Sequence, residues 1–115
     1  MFEVDRSIVV VRPTQAFYDF YISLPDSTVE TFAAVREDTH AYLLPKIETK
    51  EPPSSFIPDG LAHTIFEWEL MLREIDHQHW PKNRNRVGDL LEWFEIMVVP
   101  LVVDTSEDEL TRQML

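Results

Sequence analysis

Glycine is nearly missing from this chain, occurring only at Gly60 and Gly88, and cysteine does not occur at all. Loops that cradle phosphate need glycines so that the backbone can close on the anion, and no run of them exists here. Without a thiol there is no thiolate nucleophile, no cysteine ligand for zinc and no disulfide. Basic residues are scarce too: 10 Lys and Arg stand against 21 Asp and Glu, a formal net charge of -11. That balance works against non-specific contact with nucleic acid or anionic membranes. The longest apolar run, Ile96 to Val103, is interrupted by Pro100 and falls well short of the roughly 20 residues a membrane span requires. The opening residues Met1-Phe2-Glu3-Val4-Asp5 carry acid where a signal peptide carries base. The expectation is a soluble, cytoplasmic protein with no cofactor, no nucleic-acid partner and no membrane partner.

What the chain does have is apolar and aromatic bulk. Of 115 residues 44% are hydrophobic, with seven Phe, three Trp and three Tyr, enough to fill one core. A single domain over 1–115 is expected, frayed at 1–6 and 105–115. Ser7 to Arg12 contains Ile8-Val9-Val10-Val11, apolar on both faces, the pattern of a central strand covered on both sides. Pro13 ends it, and Thr14 is the expected cap of a helix carrying Phe17, Phe20, Tyr21 and Leu24, which stops before Pro25. Ser27 and Glu30 have capping-box spacing ahead of Phe32, Ala34 and Val35, so a short helix runs to Glu37. Ala41 to Leu44 reads as a second strand, pushed toward a sheet edge by Pro45. Lys50 to Pro58, with three prolines and two serines, reads as a loop.

The best helix follows, with Asp59 as its cap and Leu61, Ile65, Trp68, Leu72 and Ile75 as one apolar stripe. Glu67, Glu69, Arg73 and Glu74 fall largely off that stripe, and His79-Trp80-Pro81 ends the helix. Lys82 to Arg86 is a polar turn, from which Asn85 caps a helix with Leu90, Leu91, Trp93 and Phe94. Glu95 to Asp104 is either a strand or a kinked continuation of that helix; its valines favour the strand, with Pro100 at an edge or bulge. Ser106 and Glu109 have the spacing of one last helical turn. The fold class is α+β: a small, mainly antiparallel sheet of about three strands with three to four helices packed on it. The order is strand, helix, short helix, strand, long helix, helix, strand.

Five segments occur in a telling order: Arg12-Pro13-Thr14-Gln15-Ala16-Phe17-Tyr18-Asp19-Phe20, Leu24-Pro25-Asp26, Ala41-Tyr42-Leu43-Leu44-Pro45, Trp80-Pro81 and Glu92-Trp93-Phe94-Glu95-Ile96. In these the chain resembles a family of small acidic bacterial proteins with a proline-Gln-x-Phe opening, a Tyr-Leu-x-Pro strand and a Trp-Phe-acidic segment. Thr14 and Ala16 stand where that family has lysine and a second proline, and the valine-rich end is more apolar. The resemblance implies an α+β domain in a bacterial cytoplasm. The family has no assigned activity, so no site residues come with it.

Several groups suggest chemistry, each beside a plainer reading. Glu37 with His40 and Glu74 with His77 form two Glu-x-x-His pairs, which with Glu67 and Glu92 would complete a di-iron set in a four-helix bundle. The context is wrong, because His40 leads into a strand and four long helices are lacking; acids this frequent also make chance pairs. His63 with Glu67, four apart, or His77 with His79 and Asp76, suggest a general-base pair or a mononuclear site. Ordinary helix histidines are the plainer reading, mildly favoured near a C-terminus by the dipole. Ser54 and Ser55 lack the Gly-x-Ser-x-Gly elbow of a hydrolase.

Interaction features are more numerous. Lys82, Arg84 and Arg86 beside Trp80 form the one dense basic cluster, a candidate contact for phosphate or an acidic segment, or simply a solvated turn. Tyr18 points away from the Phe17, Phe20 and Leu24 stripe and is a candidate surface aromatic. Met97 to Val103, with Val99, Leu101 and Val103, is the stronger hint: an apolar edge is either covered or paired with another copy, giving a homodimer through this region. The expected function is therefore a small non-catalytic interaction or binding module with a protein partner. The alternatives are a metal-dependent or acid-base enzyme using Glu74 and His77, and acidic mimicry of nucleic acid.

Overall fold

The computed structural model describes residues 1–25, 27, 30–47 and 51–114. β1 (Phe2–Val4) and β2 (Arg6–Pro13) open the chain, and α1 (Gln15–Ile22) and α2 (Phe32–Glu37) follow. Next come β3 (His40–Pro45), α3 (Pro53–Phe56) and α4 (Asp59–Leu72). A 3-10 turn at His77–His79 precedes α5 (Val87–Trp93), β4 (Phe94–Val99) and β5 (Val102–Asp104). The fold is α+β, as the sequence patterns indicate. The valine run of β2 is the central strand, antiparallel to β3 on one side and β4 on the other.

Within residues 1–6, β1 pairs antiparallel with β5 as a separate two-stranded ribbon. The ribbon continues the β2·β4 ladder out of step. Val4 opposes Val102 and Ile8 opposes Val99, so four steps on one strand face three on the other. One extra residue on the N-terminal strand makes a bulge there, opposite Pro100, which has no N–H for the ladder. The buried Ser7 hydroxyl secures the junction, accepting from Ile47 N at 2.7 Å and lying 3.5 Å from the Pro100 carbonyl. The molecule is elongated, 47 × 30 × 26 Å, with a radius of gyration of 15.6 Å. A compact domain of this size has about 13 Å.

Helix starts follow local chemistry. The Thr14 hydroxyl accepts from Phe17 N at 3.4 Å and donates to the Trp93 carbonyl at 2.7 Å, tying the start of α1 to the end of α5. Thr31, not Ser27, caps α2: its hydroxyl accepts from Ala34 N at 3.1 Å, while that of Ser27 donates to the Ile22 carbonyl. Thr28 and Val29 of the expected capping segment, and Lys50 at the start of the expected loop, lie outside the described residues. The expected loop contains α3, which starts at Pro53, where a missing N–H costs nothing. Asp59 is the first residue of α4 rather than its cap, and its carboxylate accepts from Val87 N at 3.0 Å. Arg86, not Asn85, precedes α5, and Asp89 reaches back to accept from Arg86 N at 3.1 Å. No helix forms over 105–114, where Asp104 and Ser106 side chains accept from Ser106 N and Asp108 N.

The core lies between the helices and one face of the sheet. Phe17 and Phe94 sit 4.9 Å apart between ring centroids, and Phe66 meets Phe94 edge-on at 5.6 Å. Val9, Val11, Ile65, Leu70 and Leu90 close around them. α4 is rotated from the expected stripe: its buried residues are Ala62, Ile65, Phe66, Glu69 and Leu70. It also ends earlier, at Leu72, in a Schellman turn. Glu74 N donates to the Met71 carbonyl at 2.9 Å and Ile75 N to the Leu70 carbonyl at 3.1 Å. Glu74 holds the left-handed position, φ 59, that glycine ordinarily takes.

Candidate interaction surface and buried polar cluster

Side chains alternate across a strand, so β2 serves two surfaces. Ser7, Val9, Val11 and Pro13 are fully buried, whereas Ile8, Val10 and Arg12 face the other way and are half-buried. Strand register extends that outer row sideways. Ile8 lies between Leu43 and Val99, Val10 between Ala41 and Met97, and Arg12 beside Glu95. Leu43 is 56% exposed and Met97 48%. Their inner-side neighbours Tyr42, Ile96 and Val98 pack against the core instead. The result is an outer face whose two middle rows carry only apolar side chains. The sequence expected β2 to be covered on both sides; within this chain the helices cover one.

The expected interaction residues fall in three places. Val99 lies on the outer face beside Met97, and Leu101 and Val103 carry exposed apolar side chains on to the β1·β5 ribbon, at 58% and 46%. Tyr18 is not a free surface aromatic. Its ring meets Phe32 edge-on at 5.5 Å and its hydroxyl donates to the Glu30 carbonyl. Of the basic cluster, Arg84 is held within the fold. Arg84 donates to Glu67 at 3.0 Å and to the Pro81 carbonyl at 2.7 Å and sits over the half-buried Trp80, whose indole donates to the Ile75 carbonyl at 2.9 Å. Lys82 and Arg86 are exposed.

The candidate catalytic pairs are dispersed. His40 turns from Glu37 to Glu69, while His77 stacks on Trp80 with centroids 4.0 Å apart. His63 and Glu67 do share a helix face, Nε2 to Oε2 at 3.3 Å, with Nδ1 of His63 3.1 Å from the Arg84 carbonyl. Ser54 and Ser55 are exposed on α3. Among the described residues no three His, Asp or Glu side chains are grouped so as to hold a metal ion.

A polar cluster missed by the sequence reading lies beneath the inner face. Glu69, fully buried on α4, accepts from the Tyr42 hydroxyl and is 2.8 Å from Nδ1 of His40, both on β3. Its other oxygen accepts from Arg73 at 3.1 Å. The Arg73 side chain is 3% exposed, donates to the Asp38 carbonyl at 2.7 Å and lies over the Phe17 ring. Nε of Arg73 is buried without a hydrogen-bond partner among the described residues. Burial pushes the Tyr42 hydroxyl well above its ordinary value of 10.0, and the Glu69 charge pushes it the same way. Tyr21 is raised as well, first by burial and then by Glu30. The visible signal was the spacing 62, 65, 66, 69 and 70, which puts Glu69 in line with the apolar residues.

Beside this cluster Tyr21, Arg73, Glu74, Asp76 and His79 line a cleft of about 270 Å³. Among the described residues no helix is long and apolar enough to cross a membrane. No family model, no curated protein and no solved structure matches the chain.

Proposed function

We propose that this protein is a small cytoplasmic interaction module, not an enzyme, and that it binds protein through the outer face of its sheet and the adjoining 97–103 segment. The observation behind this reading is the row pattern Leu43-Ile8-Val99 and Ala41-Val10-Met97, apolar across all three strands and, among the described residues, outside the packed core. A solvated antiparallel face normally carries polar residues. A contiguous apolar patch on a soluble domain marks a contact surface. The cytoplasmic assignment rests on the acidic, cysteine-free composition. Nucleic acid is disfavoured as a partner by the charge of -11.

A photo-crosslinking residue tests the surface. Placed at Leu43 or Met97 it should give protein adducts in native extract, and placed at Met71 on α4 it should not. Failure at both sheet positions would sink the reading.

One observation favours the enzyme alternative. Glu74 keeps a strained left-handed backbone at the rim of the polar cleft, where glycine would relieve it. His77 does not line that cleft; His79 does. Calorimetric titration with divalent metals and small cations, on the native protein and on Glu74→Gly, tests this: heat lost with Glu74 supports a ligand site there.

A further inference from the structure

We propose that a second copy of this chain covers the outer sheet face, the two sheets packing face to face about a two-fold axis near Ile8 and Val10. This rests on the reading of that face as the interaction surface. Three observations select the occupant.

The first is charge. Each copy carries -11, yet the three-stranded outer face holds Arg6, Arg12 and Glu95, with Arg6 beside Asp5 and Glu95 held by Arg36, and the ribbon adds Glu3, opposite Val103 and paired with Lys46. Most other acidic residues sit elsewhere, on helices, loops and the 104–109 segment. A basic partner would be drawn to those regions. A second copy meeting at this face keeps the larger acidic surfaces apart and covers few charges, three of which have partners of opposite sign in their own copy.

The second is shape. A twisted three-stranded sheet finds in its own copy a sheet of the same twist, which is the condition for aligned packing across about 10 Å. A two-fold contact of this kind closes on itself and does not polymerise.

The third is area. Three strands about 4.8 Å apart and six residues long at about 3.4 Å each give a flat footprint of about 300 Å². A stable pair needs about 800 Å² from each partner. The interface must therefore extend toward the β1·β5 ribbon, where Val103 and the preceding Leu101 are exposed. The Met97–Val103 segment is thus one half of the interface, and Ile8, Val10 and Leu43 the other.

Salt separates this occupant from a charged one. Two acidic copies repel, so screening strengthens their pairing, whereas an oppositely charged partner is released. Sedimentation of the purified full chain at 0.05 and 0.5 M NaCl, concentrations chosen to span screening lengths from about 14 to about 4 Å, is the test. The expected result is a two-chain mass that tightens at high salt. Val10→Glu and Met97→Glu should each weaken it by about thirtyfold or more, since each buries an unpaired charge. Leu101→Ser should weaken it less, and Met71→Glu on α4 should leave it unchanged. Circular dichroism of each variant separates loss of pairing from loss of fold.

A single-chain mass at all concentrations overturns the second copy. So does equal weakening by Met71→Glu, which means non-specific association. If the chain is monomeric while crosslinkers at Leu43 and Met97 still capture another protein, the second copy is wrong and the interaction surface stands. If they capture nothing, both fall.

Discussion

The inner and outer faces of the sheet are made from the same three strands, yet one is sealed and the other left apolar and open. On the inner face Val9, Val11, Leu44 and Phe94 are buried, and His40 and Tyr42 reach into a polar cluster with every carboxylate oxygen of Glu69 engaged. On the outer face Ile8, Val10, Leu43, Met97 and Val99 form apolar rows across the three strands, outside the packed core. A β-branched run is as good a strand on either side, so strand propensity does not explain the outer residues. Their apolarity has a use only if something packs on them. The difference teaches that one face holds the chain together, while the other carries the apolar row on which the proposed contact rests.

Chemical denaturation of paired variants probes that division most strongly. Phe94→Ala on the inner face should cost about 3–5 kcal/mol, the transfer free energy of the ring plus the cavity left among Phe17 and Phe66. Leu43→Ala on the outer face should change monomer stability by no more than about 0.5 kcal/mol, as for other surface positions. Comparable losses would mean that the outer face is structural in the monomer.

The polar cluster should rank next. Glu69→Gln leaves the buried Arg73 guanidinium without its closest buried countercharge and should cost about 3 kcal/mol. Tyr42→Phe removes one hydrogen bond to a charged acceptor and should cost about 1.5–2 kcal/mol. It should also alter the alkaline limb. The folded Tyr42 hydroxyl resists ionisation, so its contribution is complete below the unfolded value of 10.0 and declines as pH rises above it. Urea midpoints should fall between pH 10 and 11.5, a range chosen to start at that value, and fall less steeply in Tyr42→Phe. Tyr21 adds a slope of the same sign that persists in the variant. Identical slopes would place Tyr42 outside the linkage.

How much of this was legible depends on the range of the signal. Local signals were read correctly: the valine run as the central strand, Thr14 as a cap, and Glu95 to Asp104 as strand rather than helix, although it forms two strands parted at Pro100. The β1·β5 ribbon was not, because three residues carry no period and the pairing joins opposite ends of the chain. Nor was α3, where proline signals loop and helix start alike. The buried cluster was missed for a different reason. Trp68 and Leu72 are large enough to draw an apolar stripe toward themselves, yet Ala62, Phe66 and Leu70 define the packed side. With the stripe set one step round the helix, Glu69 read as solvent-facing. The open face was half legible, since the run Ile8 to Val11 announced two covered sides and the core of this chain lies on one.

Glu74 tests the remaining asymmetry, between groups that stabilise the monomer and groups that do not. It sits on neither sheet face, is exposed, and closes the Schellman turn after α4 with φ 59 in a chain that spends its two glycines elsewhere. Glu74→Gly relieves the left-handed strain but adds freedom to the unfolded chain, so the net gain should be about 0.5–1 kcal/mol. Glu74→Ala keeps the strain and should give no such gain. If both variants stabilise equally, the effect comes from removing one charge among Asp38, Asp76 and Glu30, and backbone strain is not what Glu74 carries. If only glycine stabilises, the strained carboxylate is retained against stability, and the cleft it borders with Tyr21, Arg73 and His79 is the place to look for the reason.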